Sequence, residues 1–217
     1  MSKEGSDPKG ARPKDKFTTG KKMNLPNKLT ITRIILAPVF MIFFLINNVY
    51  SQYFSTFIFA LAALTDLYDG YLARKTGVIT GFGKFMDPLA DKILTSTAFI
   101  SFVALGYVKA WMILIIIVRE FLVTGLRSLA AYKGVVIMPS ILAQWKTVCQ
   151  MTVIVIILVY INLKATLLPL GYNWSILTSS STYKVFDGLV FFTMLLTVGT
   201  GIDYVVKNAF LLKGVLK

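Results

Sequence analysis

The 217-residue chain contains no histidine and a single cysteine. Without histidine there is no imidazole base for a nucleophile triad and no imidazole ligand for a metal. Cys149 sits alone in an apolar run, which excludes an intrachain disulfide and a thiolate zinc cluster. A metal site in this chain therefore has to use oxygen ligands, which favours Mg²⁺, Mn²⁺ or Ca²⁺. Charge is scarce as well: Asp, Glu, Lys and Arg make up 15% of the residues, against roughly 25% in an average soluble domain.

Hydrophobic residues make up 56% of the chain. They fall in runs near 20 residues, the length that crosses about 30 Å of hydrocarbon. This is the composition of a polytopic membrane protein, and it excludes a soluble enzyme. Six apolar segments, at about 30–49, 54–76, 84–107, 109–132, 142–163 and 184–207, predict an all-α fold of six transmembrane helices. Residues 1–22, rich in Lys, Gly, Pro and Ser, cannot bury a core and read as a disordered basic cytoplasmic tail. That tail lacks the apolar stretch of a secretory signal, and its acidic residues argue against a mitochondrial presequence. Residues 23–217 read as one membrane domain without internal repeats.

Basic residues set the expected topology. With six spans, one side holds the tail through Arg33, then Arg74, Lys75, Lys84 and Lys92, then Lys133 and Lys146, then Lys207, Lys213 and Lys217. The other side holds only Lys109, Lys164 and Lys184. Both termini are therefore expected in the cytoplasm. The basic ends also attract anionic lipid, and Trp111, Trp145 and Trp174 suit an interfacial aromatic belt.

Of ten acidic residues, three lie in the tail and four fall in the window 66–91: Asp66, Asp69, Asp87 and Asp91. An ionised carboxylate in or beside apolar sequence costs several kcal/mol unless it is compensated, so something positive belongs among them. Asp66 and Asp69 stand at i, i+3 on the second helix, and Asp87 and Asp91 at i, i+4 on the third. Each pair shares a helix face, with Cβ atoms about 5–6 Å apart. The second helix runs toward the cytoplasm and the third leaves it, so the pairs can meet in the cytoplasmic half of the bilayer. Four carboxylates there could hold two divalent cations about 3.5–4 Å apart, as in enzymes that displace at phosphorus. Gly70, Gly77, Gly81 and Gly83 permit close approach of a ligand or helix, or serve packing and a turn. Ala73 leaves space, and Arg74 could pair with a phosphate or an aspartate.

Asp66-x-x-Asp69-Gly70-x-x-Ala73-Arg74, eight residues, then Gly83-x-x-x-Asp87-x-x-x-Asp91 resembles the signature of the CDP-alcohol phosphatidyltransferase family, in every fixed position and gap. The resemblance implies transfer of a phosphatidyl group from a CDP-linked lipid to an alcohol, with release of CMP. It implies that Asp66, Asp69 and Asp87 ligate metal, Mg²⁺ or Mn²⁺, and that Asp91 completes the site and acts as the base. Gly70, Ala73, Arg74 and Gly83 would shape the cytidine-diphosphate pocket. A homodimer is expected from the resemblance alone.

The acceptor has to be read from other charges. Arg119 and Glu120 lie midway along the fourth helix, Arg127 lies nearer its cytoplasmic end, and Lys146 begins the fifth. Arg119 and Arg127 are separated by about 80° and roughly 12 Å. Arg119, Arg127 and Lys146 make a plausible phosphate pocket, unless Arg127 and Lys146 merely snorkel to the interface. A phosphorylated acceptor calls for such a cluster, and serine or choline does not. Arg119-Glu120-Phe121 with Thr124-Gly125-Leu126-Arg127, residues 83–92, and residues 24–30 ending in Arg33 are also similar to the bacterial phosphatidylglycerophosphate synthases. That branch implies CDP-diacylglycerol and sn-glycerol 3-phosphate as substrates. Inositol phosphate, serine or phosphatidylglycerol remain alternative acceptors.

The segment leading into the first helix has Pro26 as a break and Asn27 or Thr30 as candidate caps. Contact of Asn27, Thr30 or Arg33 with the nucleotide is an equal alternative. Asp187 and Asp203 read as interfacial or structural. A cation carrier using the aspartates as an ion path is the rival from another class. The clustering of the carboxylates near one leaflet, and the lack of paired half-repeats, speak against it.

Overall fold

The structure is a computed structural model that describes residues 25–76, 81–132, 141–172 and 174–209; within them, the side chains of 25–28, 67–76, 81–87, 132, 141, 143, 176 and 178 lie outside the description. Every regular element in the described residues is helical. The long helices are α1 (Leu25–Leu45), α2 (Val49–Thr76), α3 (Gly81–Ala104), α4 (Ala110–Tyr132), α5 (Ile141–Leu167) and α7 (Ser180–Lys207). A single turn, α6 (Ser175–Thr178), precedes the last of them. The tail at 1–22 lies outside the described residues.

Contacts between helices fix their directions. Phe43 packs on Phe54 at 4.9 Å while Arg33 pairs with Asp66, so α1 and α2 are antiparallel. Phe44 packs on Phe102 at 5.8 Å, which brings the C-terminal ends of α1 and α3 together. α4 and α7 run in parallel, since Trp111 meets Phe191 and Arg119 meets Thr200. α5 opposes both α2 and α7: Asn162 donates to Thr56, and Lys164 donates to Tyr183. One end of the bundle thus gathers the starts of α1, α3 and α5 with the ends of α2, α4 and α7. Gly106, at φ +74°, takes the left-handed conformation in the turn between α3 and α4, which glycine adopts without steric cost.

The core is a continuous apolar cluster in which Ala37, Phe40 and Phe44 of α1 meet Phe59 and Ala62 of α2 and Leu94, Ala98 and Phe102 of α3. Spacings of three and four place these residues on one helix face. The outer faces carry large apolar side chains on every long helix, such as Ile42, Phe57, Ile100, Leu122, Val159 and Phe192. Polar side chains instead lie inside: Arg33, Glu120, Lys146, Gln150, Thr193 and Thr197 are all buried. An apolar exterior, with charged and polar side chains enclosed in the bundle beside its apolar core, suits a lipid solvent. By length and composition, Gln144–Leu167 and Ser180–Lys207 are each able to cross a membrane.

One expectation is corrected here. α1 begins at Leu25, so Asn27 and Thr30 lie within the helix and neither caps it. Pro26 falls in the first turn, where its missing N–H has no intrahelical partner to lose. The proline therefore opens the helix early rather than breaking the chain ahead of it, and Thr30 becomes a fully buried residue of α1.

Candidate active site

The α2–α3 hairpin places the signature aspartates in register. Asp66 stands ten residues before the end of α2 at Thr76, and Asp91 ten residues after the start of α3 at Gly81. At 1.5 Å per residue each is about 15 Å from its helix end. Asp69, Gly70, Ala73 and Arg74 belong to the backbone of α2, and Gly83 and Asp87 to that of α3. The side chains of these six residues, and of Asn27, lie outside the described residues.

The two described carboxylates each sit against a cation. Arg33 Nη1 lies 2.6 Å from Asp66 Oδ1, with the arginine 1% and the aspartate 44% exposed as side chains. Lys92 Nζ lies 2.8 Å from Asp91 Oδ2, and the aspartate is 26% exposed. Both aspartates therefore present anionic oxygen to accessible space, the donor chemistry that a hard divalent cation uses. Among the described residues no three metal-ligating side chains cluster; with Asp69 and Asp87 outside the description, the fit is tested only through Asp66 and Asp91.

A cavity of ≈ 630 Å³ opens beside Asp91, lined by residues of α3, α4, α5 and α7. It brings together Asp91, Arg119, Arg127 and Lys146, which are separated by up to fifty-five positions in sequence. Thr30, Arg33 and Asp66 are not among its lining residues. Five cationic side chains (Lys92, Arg119, Arg127, Lys146 and Lys207) face three carboxylates (Asp91, Glu120 and Asp203) around it. With all of these ionised, the wall carries a surplus of two positive charges.

Glu120 lies at the centre of the cationic group and is 5% exposed. Its Oε1 accepts from Lys146 Nζ, from Arg119 Nη1 at 3.2 Å and from Gln150 Nε2 at 3.5 Å. Its Oε2 lies 3.4 Å from Lys92 Nζ. α7 supplies the remaining support: Arg119 Nη2 donates to Thr200 Oγ1 at 2.8 Å, and Gln150 Nε2 donates to Thr197 Oγ1 at 3.3 Å. Gly201 admits the arginine, because a Cβ there would stand 2.7 Å from Arg119 Nε and 3.2 Å from its Cγ. Arg119 Nε and Arg127 Nε are buried without a hydrogen-bond partner among the described residues, which leaves donor capacity in the wall.

Sequence reasoning named Arg119, Arg127 and Lys146 but missed Lys92, Gln150, Thr200 and Gly201 as parts of this group. Lys92 was legible as the neighbour of Asp91, and Gln150 as i+4 from Lys146. Nothing in the sequence placed α7 against Arg119. Asp203 pairs with Lys207 one turn on, at 2.9 Å, and also lines the cavity. Asp187 belongs to the opposite end, where it accepts from the Lys109 backbone N–H at 3.1 Å. Tyr107 stacks on Tyr183 at that same end, and burial pushes its phenol above the ordinary value.

Comparison with known proteins bears on this arrangement. The family model described as CDP-alcohol phosphatidyltransferase matches residues 23–199. A CDP-diacylglycerol–glycerol-3-phosphate 3-phosphatidyltransferase of Bacillus subtilis is 37% identical over 182 residues, covering 78% of this chain and 94% of the relative. A protein of the same name from Rickettsia typhi is 44% identical over 128 residues, covering 59% of this chain and 72% of the relative. Another, from Wigglesworthia glossinidia brevipalpis, is 37% identical over 174 residues, covering 76% and 94%.

Proposed function

The chain belongs to the CDP-alcohol phosphatidyltransferase family, and on that premise we propose that it transfers the phosphatidyl group of CDP-diacylglycerol to sn-glycerol 3-phosphate, giving phosphatidylglycerophosphate and CMP. One observation carries the choice of acceptor: the cavity that holds Asp91 also holds Arg119, Arg127 and Lys146, with a surplus of positive charge. A phosphate dianion matches that surplus, and a neutral alcohol such as serine has no use for it. The names of the three relatives point the same way.

In this reading Asp66, Asp69, Asp87 and Asp91 would hold two divalent cations, Mg²⁺ or Mn²⁺. Such a pair, when bound, neutralises the diphosphate and the departing CMP. The chain's own residues do the rest. Arg119, Arg127 and Lys146 bind the acceptor phosphate and turn its free hydroxyl toward Asp91, converting an encounter into a positioned attack. Asp91 accepts the hydroxyl proton as the oxygen forms its bond to the phosphorus that bears the diacylglycerol. The bond from that phosphorus to the bridging oxygen breaks, and CMP leaves with the electron pair. By family likeness Gly70, Ala73, Arg74 and Gly83, with Asn27 and Thr30, would be the residues that receive the cytidine diphosphate.

Six spans with both termini in the cytoplasm put this end of the bundle on the cytoplasmic side of the cell membrane. There the lipid enters from the bilayer and the acceptor from water. A homodimer is part of the same reading by family likeness. The test is CMP release by the purified protein with CDP-diacylglycerol and Mg²⁺ across a panel of acceptors. Release that depends on glycerol 3-phosphate supports the reading. Release only with serine, inositol phosphate or phosphatidylglycerol overturns the acceptor, and no release from folded protein overturns the activity.

A further inference from the structure

We propose that Glu120 is a positioning residue of the acceptor site, holding Lys146, Arg119 and Lys92 in one constellation and setting that constellation against Asp91. The proposal rests on the reading of the cavity as the acceptor phosphate site.

A buried carboxylate needs compensation, and one good ion pair supplies it. Glu120 has more than one. Both of its oxygens are used, Oε1 by Lys146, Arg119 and Gln150 and Oε2 by Lys92. The partners come from α3, α4 and α5, and α7 braces two of them through Thr197 and Thr200. A single carboxylate thus fixes three cations whose summed charge exceeds its own, and the excess is what faces the cavity. Without that carboxylate the cations repel one another. Two of them are lysines on long, flexible stems that reach for water when released.

Lys92 gives the arrangement its second function. It lies 2.8 Å from Asp91 and 3.4 Å from Glu120, on one side chain that is 12% exposed. The acceptor's phosphate cations and its base are therefore tied by one ammonium group. Glu120 sets the distance between where the phosphate binds and where the hydroxyl proton is taken. With both oxygens engaged by its neighbours, it acts through the residues it holds.

The sign of one measurement separates this role from plain electrostatics. Glu120 is itself an anion near a phosphate, so as a bulk charge it opposes binding, and its neutralisation would lower the KM for glycerol 3-phosphate. As a positioning residue it does the reverse. In the CMP-release assay the wild type is titrated with glycerol 3-phosphate first. A wild type that ignores glycerol 3-phosphate refutes the functional reading before any variant is made.

With that control in hand, Glu120→Gln is expected to raise the KM for glycerol 3-phosphate about tenfold or more while leaving the KM for CDP-diacylglycerol within about twofold. In a Lys146→Met background the same change should add little, since residues acting as a unit are non-additive. A lowered or unchanged KM for glycerol 3-phosphate, equal shifts in both KM values, or full additivity with Lys146→Met overturns the proposal. If Glu120→Gln does not fold, Gln150→Leu decides it by withdrawing one donor from Oε1 without changing charge. A rise of about threefold in the glycerol 3-phosphate KM is then expected, and no rise overturns the proposal.

Discussion

Lys92 Nζ lies 3.4 Å from Glu120 Oε2, joining α3 to the charged centre of α4. The lysine reaches Asp91 as well, at 2.8 Å. The carboxylate that family likeness makes the base and the cations that would hold an acceptor phosphate are thereby parts of one electrostatic network. Such a network gives α4, α5 and α7 a shared reason to keep polar residues inside a bundle whose outside is apolar.

Gly201→Ala tests the packing of that network. The added methyl would meet Arg119 Nε at 2.7 Å, and the arginine is pinned by Glu120 and Thr200 at its far end. The guanidinium cannot move aside without losing a partner. Overpacking of this kind costs about 1–3 kcal/mol, which, falling on the acceptor pocket, converts to a rise of about 5- to 150-fold in the KM for glycerol 3-phosphate while that for CDP-diacylglycerol holds. Steady-state kinetics with each substrate varied in turn checks it, and unchanged kinetics would show that Arg119 is not needed where it stands.

Arg119→Ala removes the guanidinium altogether. Hydrogen bonds to charged groups contribute about 1.5–3 kcal/mol, which converts to a rise of about 10- to 100-fold in the KM for glycerol 3-phosphate. The KM for CDP-diacylglycerol should move much less. Equal movement of the two would detach Arg119 from the acceptor.

Asp91→Asn keeps the shape of the side chain and removes its basicity. Loss of a general base costs typically 10²–10⁴ in rate, so CMP release should fall at least that far. Binding of CDP-diacylglycerol, measured by calorimetry in detergent, should remain. Loss of binding in proportion to turnover would leave Asp91 with a holding role alone and contradict its role as the base.

The long helices were legible because apolar runs near 20 residues, interrupted by polar turns, have few other readings. The start of α1 was misjudged because Pro26 signals both a break and a first helical turn, and the chain uses the second. The single turn α6 carries no pattern long enough to register. At the site, Asp66 and Asp91 stood out as charges in apolar sequence, and so did Arg119, Arg127 and Lys146. Glu120 was seen, but its partners were not, because Lys146 and Gln150 reach it from twenty-six and thirty residues away. Nothing in the sequence singles out Gly201, and only the proximity of Arg119 gives it a role.

The proposed role of Asp66, Asp69, Asp87 and Asp91 in holding divalent cations makes the activity metal-dependent. Chelation with EDTA should abolish CMP release, and excess Mg²⁺ or Mn²⁺ should restore it, with the protein folded throughout by circular dichroism. Activity that survives exhaustive chelation would remove the metal role from Asp66, Asp69, Asp87 and Asp91.

The most direct measurement follows labelled glycerol 3-phosphate into lipid. Purified protein with CDP-diacylglycerol and Mg²⁺ should move the label into the organic phase in step with CMP release, and not at all when CDP-diacylglycerol is omitted. CMP release with the label left in water would contradict transfer to glycerol 3-phosphate.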